Sequence, residues 1–217
     1  MLQLLEESKE NDRILVADNQ ARSILAELGV HEEADQTFSI SRENRISLAL
    51  RAISSGAEIE SVIERMTWKD FEGFVARVFA ENDYDCVESF RRRGGKLAKG
   101  MEVDVIGVRG NTLVAVDAKM WGVRSGKSSA LMSAAEKQKE RTAKLPDQIE
   151  KLSGKLGRMK PGLYAVIPVL VTWLIEDIEF HDGVPIVPIF RLNSFLLDLP
   201  VYEDMIVSYE ARLQRVL

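Results

Sequence analysis

Residues 100–121, GMEVDVIGVRGNTLVAVDAKMW, decide the fold. Two valine-rich runs that alternate in polarity flank Gly110-Asn111, a two-residue hairpin signal of the type with glycine first. With Arg109 paired to Thr112, counting outward sets Asp104 opposite Asp117 and Glu102 opposite Lys119, all four on one face. Like charges directly opposed across strands are destabilising, and burial raises the cost of an ionised carboxylate that lacks a partner. The hairpin therefore calls for a cation. Lys119 offsets part of the repulsion. A divalent ion between Asp104 and Asp117 offsets more, and hard carboxylate oxygens suit Mg²⁺ or Mn²⁺. Asp117 and Lys119 share a face in any register, because residues two apart on a strand always do.

On both sides of the hairpin the chain is basic. Upstream, ESFRRRGGKLAKG reads as a flexible loop whose Arg91, Arg92, Arg93, Lys96 and Lys99 suit phosphate contacts. Downstream, Ser125–Ser129 starts the next helix, with Arg124 and Lys127 facing the same polyanion. Between Arg91 and Lys160 stand 17 Lys and Arg against 7 Asp and Glu, a surplus of +10 in a chain of net charge −5, which leaves −15 elsewhere. Such segregation marks a polyanion-binding face on an acidic body, although solvated basic helices give the same count.

Further upstream, Thr67-Trp68-Lys69-Asp70 forms a capping box in which Asp70 replaces the usual Glu. Phe71, Phe74, Val75, Val78 and Phe79 then recur at helical spacing up to Asn82-Asp83. At about 100° per residue Glu72 falls on the flank of that apolar stripe. Beyond the hairpin the sequence predicts a long helix or helix pair from Ser128 to about Leu156, an apolar strand from Tyr164 to Trp173, a short strand VPIVPI and a last helical segment.

Residues 1–66 read as a mainly helical accessory domain, with 67–217 as the second domain. NQARSILAEL is capped by Asn19 and stopped by Gly29, RENRISLALRAI follows Ser41, and AEIESVIERM comes after Gly56. The turn at Ser54-Ser55-Gly56 is compatible with a helix-turn-helix, a pattern that plain packing of short helices produces more often.

Composition narrows the chemistry. The 217 residues are 46% hydrophobic and 29% charged, which is one large or two modest globular domains. One cysteine, Cys86, excludes a disulfide framework and a cysteine-based zinc site, and His31 and His181 are too few for a histidine metal cluster. The N-terminus turns acidic where a signal peptide needs an apolar stretch, and the longest apolar run, residues 163–175, is too short for a bilayer and contains Pro168. The expectation is a cytoplasmic protein. GVRSGKS, residues 122–128, imitates a phosphate-binding P-loop, but it has three residues between its glycines where the motif needs four. His181 lacks a nucleophile signature nearby, and Trp68, Trp121 and Trp173 read as core or groove residues.

Glu72 on a helix, Asp104 on a strand and Asp117-Ala118-Lys119 after a hairpin turn together resemble the PD-(D/E)xK nuclease superfamily, most of all archaeal Holliday-junction resolvases and Mrr-like restriction endonucleases. The resemblance covers roughly Thr67–Leu199. It implies an α/β restriction-endonuclease-like core, a mixed central sheet with flanking helices, and a Mg²⁺- or Mn²⁺-dependent endonuclease acting on DNA. Asp104, Asp117, the main-chain carbonyl of Ala118 and Glu72 would bind metal, and Lys119 would assist the nucleophilic water. A homodimer fits as well, since many relatives cut both strands. The proline of the family name is absent, Val103 preceding Asp104. Glu102 is additional, and it reads as a salt-bridge mate of Lys119 or a partner behind the metal ligands ahead of a metal ligand itself. Two rival readings are a nucleic-acid-binding protein that keeps the fold without cutting, and a DNA-binding regulator driven by the N-terminal helices.

Overall fold

The computed structural model describes residues 1–92, 100–121 and 127–215. Expectations placed on Arg93, Lys96, Lys99, Arg124 and the imitation P-loop lie outside the described residues, as does the Lys127 side chain. Two compact units, Met1–Phe74 and Val75–Leu217, divide the chain, and the division falls inside a helix.

The first unit begins with α1 (Leu2–Glu7), β1 (Arg13–Leu15) and α2 (Asn19–Glu27). The cap of α2 is Asp18, whose side chain accepts from Ala21 N–H at 2.8 Å, one residue before the expected Asn19. Strands β2 (Glu32–Ala34) and β3 (Thr37–Ser39) follow, making a three-stranded antiparallel sheet in the order β1-β3-β2 that the helical reading did not foresee. Three-residue strands carry too little period to detect, and the turn between them takes positive φ at Asp35 and Gln36 without a glycine to announce it.

Next, α3 (Arg42–Ser54) is closed by a capping box between Ser41 and Asn44. Helix α4 (Ile59–Ile63) has five residues. A helix of that length spans about 7.5 Å.

Helix α5 (Trp68–Glu81) starts at the predicted box, with Thr67 N–H donating to Asp70 Oδ2 at 2.8 Å and Asp70 N–H to Thr67 Oγ1 at 3.1 Å. The same Asp70 oxygen receives Arg45 Nε–H at 2.9 Å, and both side chains are buried. Arg45 then donates to the carbonyls of Leu5 and Arg65 and to Ser8 Oγ, tying α1 and α4 to α3.

The second unit is an α/β fold with a mixed sheet flanked by helices. After β4 (Asp85–Arg92), β5 (Met101–Arg109) and β6 (Thr112–Lys119) come α6 (Lys127–Thr142), α7 (Ile149–Ser153), β7 (Gly162–Thr172), β8 (Phe180–His181), β9 (Val184–Pro188), α8 (Ile189–Leu197) and β10 (Tyr209–Leu213). The strand order is β4-β5-β6-β7-β9-β8, with β10 pairing β7. Strands β4, β5 and β6 are antiparallel, whereas β6, β7 and β9 run parallel. The segment from Glu88 to Arg92 is therefore strand, a correction of the loop expected there.

Local sequence explains the hairpin. Gly110 takes φ +58, as a glycine-first two-residue turn requires. Gly107 interrupts the valines because a Cβ there would lie 2.5 Å from the Phe79 ring, so α5 packs directly on the strand. Pro168 falls on β7 between the stretch that pairs β10 (162–166) and the stretch that pairs β9 (170–172), where no ladder on that side asks for its missing N–H. Helices α6 and α7 cover the sheet through Leu131, Ala134 and Ala135 and through Ile149 and Leu152. No helix among the described residues is long and apolar enough to cross a membrane.

Candidate active site

The hairpin register runs as expected from Arg109↔Thr112 to Val105↔Val116 and stops there. The next rung would oppose Asp104 to Asp117. Instead, Asp104 Oδ2 accepts the Ala118 N–H at 2.8 Å, so a carboxylate stands where a strand carbonyl would be. The other side of β5 is interrupted at the same residue. The β4–β5 ladder passes from Glu88↔Val105 to Phe90↔Val103 and omits Ser89, which lies opposite Asp104 with φ +49. A serine in the left-handed region is uncommon, and such strained backbone clusters at functional sites.

The kink also changes which way β5 faces. Met101 and Val103 share one cluster with Ile106, Val108, Leu113 and Ala115, so the two-residue alternation is broken between Val103 and Ile106. Glu102, between Met101 and Val103, points away from that cluster. The expectation that four charged side chains share one face is corrected accordingly. Glu102 pairs with its cross-strand neighbour Arg91, at 2.8 Å from Nε and 2.6 Å from a terminal nitrogen, and not with Lys119.

Asp117 is 2% exposed at the carboxyl end of β6, and it gathers the charge of the site. Lys119 Nζ stands 2.7 Å from its Oδ2, and Arg141 of α6 donates to its Oδ1 at 2.6 Å. Oδ2 receives no directed hydrogen bond in spite of the nearby ammonium, which leaves a buried acceptor in electrostatic contact only. Asp104 is pushed above the ordinary carboxylate range, first by burial and then by the Asp117 charge; the Ala118 N–H, Lys119 and Arg141 pull it back in part.

Sequence reasoning missed Arg141. Its signal was the buried stripe Leu131, Ala134, Ala135, Gln138 and Thr142 at helical spacing, which fixes the sheet-facing side of α6 and brings Arg141 beside it. Gln138, fully buried, anchors the helix by donating to the Ala115 carbonyl on β6 at 2.8 Å.

The other expected residues are distributed as follows. Glu72 is on α5 in the first compact unit and is 7% exposed, buried where the sequence put it on a flank; residues 70 to 76 are all buried. Ala118 lies between Asp117 and Lys119 with its N–H committed to Asp104. Arg91 and Arg92 end β4, and the Arg91 carbonyl accepts from Lys151 Nζ at 2.8 Å.

Among the described residues no three His, Cys, Asp or Glu side chains form a group able to hold a metal ion, so the aspartates stand as a pair. The pair suits a hard divalent cation all the same. Two opposed carboxylates, one with its pKa raised by burial and by its neighbour and one with an oxygen lacking a directed donor, are what such an ion would relieve.

No family model matches the chain. An uncharacterized protein of Archaeoglobus fulgidus is 30% identical over 139 residues, covering 63% of this chain and 95% of that protein. Among solved structures, the protein VC1899 from Vibrio cholerae is 15% identical with a TM-score of 0.40, over 94% of this chain and 51% of that one. A protein of unknown function, AF1548, is 14% identical with a TM-score of 0.33, over 53% of this chain and 54% of that one. The chain spans about half the length of these two solved proteins.

Proposed function

We propose that this chain, which belongs to one family with the uncharacterized Archaeoglobus fulgidus protein, is a nuclease that hydrolyses DNA phosphodiester bonds with Mg²⁺ or Mn²⁺. Its core would be restriction-endonuclease-like, of the PD-(D/E)xK kind. One observation carries the reading: buried Asp117 contacts Lys119 two residues along β6 and faces Asp104 where the β5 ladder breaks.

In this reading the oxygens of Asp104 and Asp117 hold the divalent ion, which when bound polarises the phosphodiester and lowers the pKa of a water. The Lys119 ammonium orients the attacking water and offsets the charge that grows on the phosphate oxygens. Asp104 acts once it has lost its proton, so the site gains its second charge at a higher pH than an ordinary carboxylate would give it. Glu72 and the Ala118 carbonyl are assigned to the metal shell by the resemblance alone. Arg91, Arg92, Arg93, Lys96, Lys99, Arg124 and Lys127 are proposed to hold phosphates. The cytoplasm is the compartment that the lone, unpaired cysteine supports, and a homodimer would let both strands be cut.

The test incubates the protein with plasmid and branched DNA in Mg²⁺ or Mn²⁺ beside Asp117→Ala and Lys119→Ala. Equal cleavage by all three rejects the assignment.

A specific observation favours one rival. Both Asp117 oxygens already face a cation, Lys119 and Arg141, as in a protein that binds nucleic acid without cutting it. Salt-dependent DNA affinity with no heat of Mn²⁺ binding would decide for that rival.

A further inference from the structure

Arg141 is unusual for an arginine on a buried carboxylate, because most of its hydrogen-bonding capacity is unused among the described residues. Among the described residues its hydrogen bond goes to Asp117 Oδ1 alone, and its side chain is 33% exposed. A guanidinium carries five N–H donors in a planar fork, a shape matched to phosphate as well as to carboxylate. Its backbone is fixed, since Gln138 ties α6 to β6 one turn earlier. The head of the side chain can therefore exchange partners while the helix stays in place.

Asp117, by contrast, is crowded by cations. At 2% exposure its two oxygens face Arg141 and Lys119, and a divalent ion reaching it meets the repulsion of both. Lys119 is on the same strand and the same face, two residues away. Arg141 comes from another element and is the contact that can open.

We infer that Arg141 is a third cation of this site, which closes on Asp117 in the absence of nucleic acid and moves to a substrate phosphate when the divalent ion binds. The inference rests on the nuclease reading. It makes metal and nucleic acid cooperative ligands: each removes what opposes the other, and the coupling is reciprocal. A bidentate arginine–phosphate contact replaces the arginine–carboxylate contact, so no charge is stranded in the exchange.

The test measures Mn²⁺ binding directly, by titration calorimetry and by the paramagnetic resonance signal of free Mn²⁺, on the full chain without nucleic acid. Arg141→Gln should bind Mn²⁺ about tenfold more tightly than wild type, because one opposing charge is gone. Arg141→Lys keeps the charge and should stay within about twofold of wild type. In parallel, fluorescence anisotropy follows a duplex oligonucleotide with phosphorothioate linkages, chosen to resist hydrolysis, in EDTA and in Mn²⁺. In wild type Mn²⁺ should tighten this binding by about tenfold, and in Arg141→Gln the gain should shrink to about threefold or less.

The wild-type comparison needs no variant to fold. If Mn²⁺ leaves wild-type oligonucleotide affinity unchanged, or if Arg141→Gln binds Mn²⁺ no more tightly while wild type binds Mn²⁺ and cuts DNA, the inference falls and the nuclease reading stands. If wild type neither binds Mn²⁺ nor cuts, both fall.

Discussion

Each compact unit buries an aspartate against an arginine, and the two pairs are built differently. In the first, Asp70 receives Arg45 and the Thr67 N–H, while Arg45 spends its other nitrogens on two carbonyls and a hydroxyl. Both side chains are 4% exposed, and the charges are enclosed and satisfied. In the second, Asp117 is as deeply buried, but its cations are 23% and 33% exposed and one of its oxygens lacks a directed donor. A second acid opposes it as well. A pair that exists to hold helices together uses up its hydrogen-bonding capacity, because an unmet donor or acceptor in the interior costs stability. A pair left open and crowded with like charge is costly to the fold, and such arrangements cluster at functional sites.

The comparison is broken most severely by removing chemistry on one side and structure on the other. Asp117→Ala and Lys119→Ala should each lower DNA cleavage by about 10³-fold or more in a gel assay of plasmid nicking, with thermal unfolding close to wild type for Lys119→Ala. Arg45→Ala should do the opposite. It leaves Asp70 buried without its cation and should cost roughly 3–5 kcal/mol in denaturant unfolding, and cleavage per folded molecule should be unchanged. If Arg45→Ala stays as stable as wild type, the distinction between the two pairs is wrong.

Asp104 gives an effect of intermediate size and opposite sign. Its carboxyl is pushed above the ordinary range by burial and by Asp117, so over the interval between the unfolded and folded values the native state holds the extra proton. Stability is then greatest at acid pH and is lost as pH rises through the raised value, where the charge must form against Asp117. Asp104→Asn keeps an oxygen for the Ala118 N–H and removes that charge. It should melt higher than wild type at neutral pH, by roughly 1 kcal/mol, with the advantage vanishing in acid. It should also abolish Mn²⁺ binding. Equal melting curves across the pH range would show that the opposed acids cost the fold nothing.

Much of this site was legible because strand periodicity is rigid. Glycine-first turns fix the register, and the ladder follows it from Arg109↔Thr112 to Val105↔Val116, one rung short of Asp104 and Asp117. The capping box at Thr67 and Asp70 was legible for the same local reason. What could not be read was set by contacts distant in sequence or by backbone that breaks its own period. Arg141 reaches Asp117 from 24 residues away, and only the packing of α6 brings it there. The left-handed Ser89 interrupts β4 without any glycine to mark it, and the resulting kink turns Glu102 out of the face that strict alternation assigned to it. The two short strands beside Asp35 and Gln36 were hidden in the same way.

Glu102 therefore supplies the finest test, since strict alternation would place it beside Lys119 and the kink places it beside Arg91. The side chains of Glu102 and Arg91 are 45% and 64% exposed, and exposed ion pairs contribute little because water and salt already screen them. Glu102→Gln should change unfolding free energy by less than about 0.5 kcal/mol and leave Mn²⁺ affinity and cleavage within twofold of wild type. Its one measurable trace should be a slightly altered dependence of DNA affinity on salt, because a negative charge beside Arg91 is gone. A loss of Mn²⁺ binding in Glu102→Gln would mean that the carboxylate turns inward when the ion arrives, and that the alternation read from the sequence describes the loaded site better than the kinked strand does.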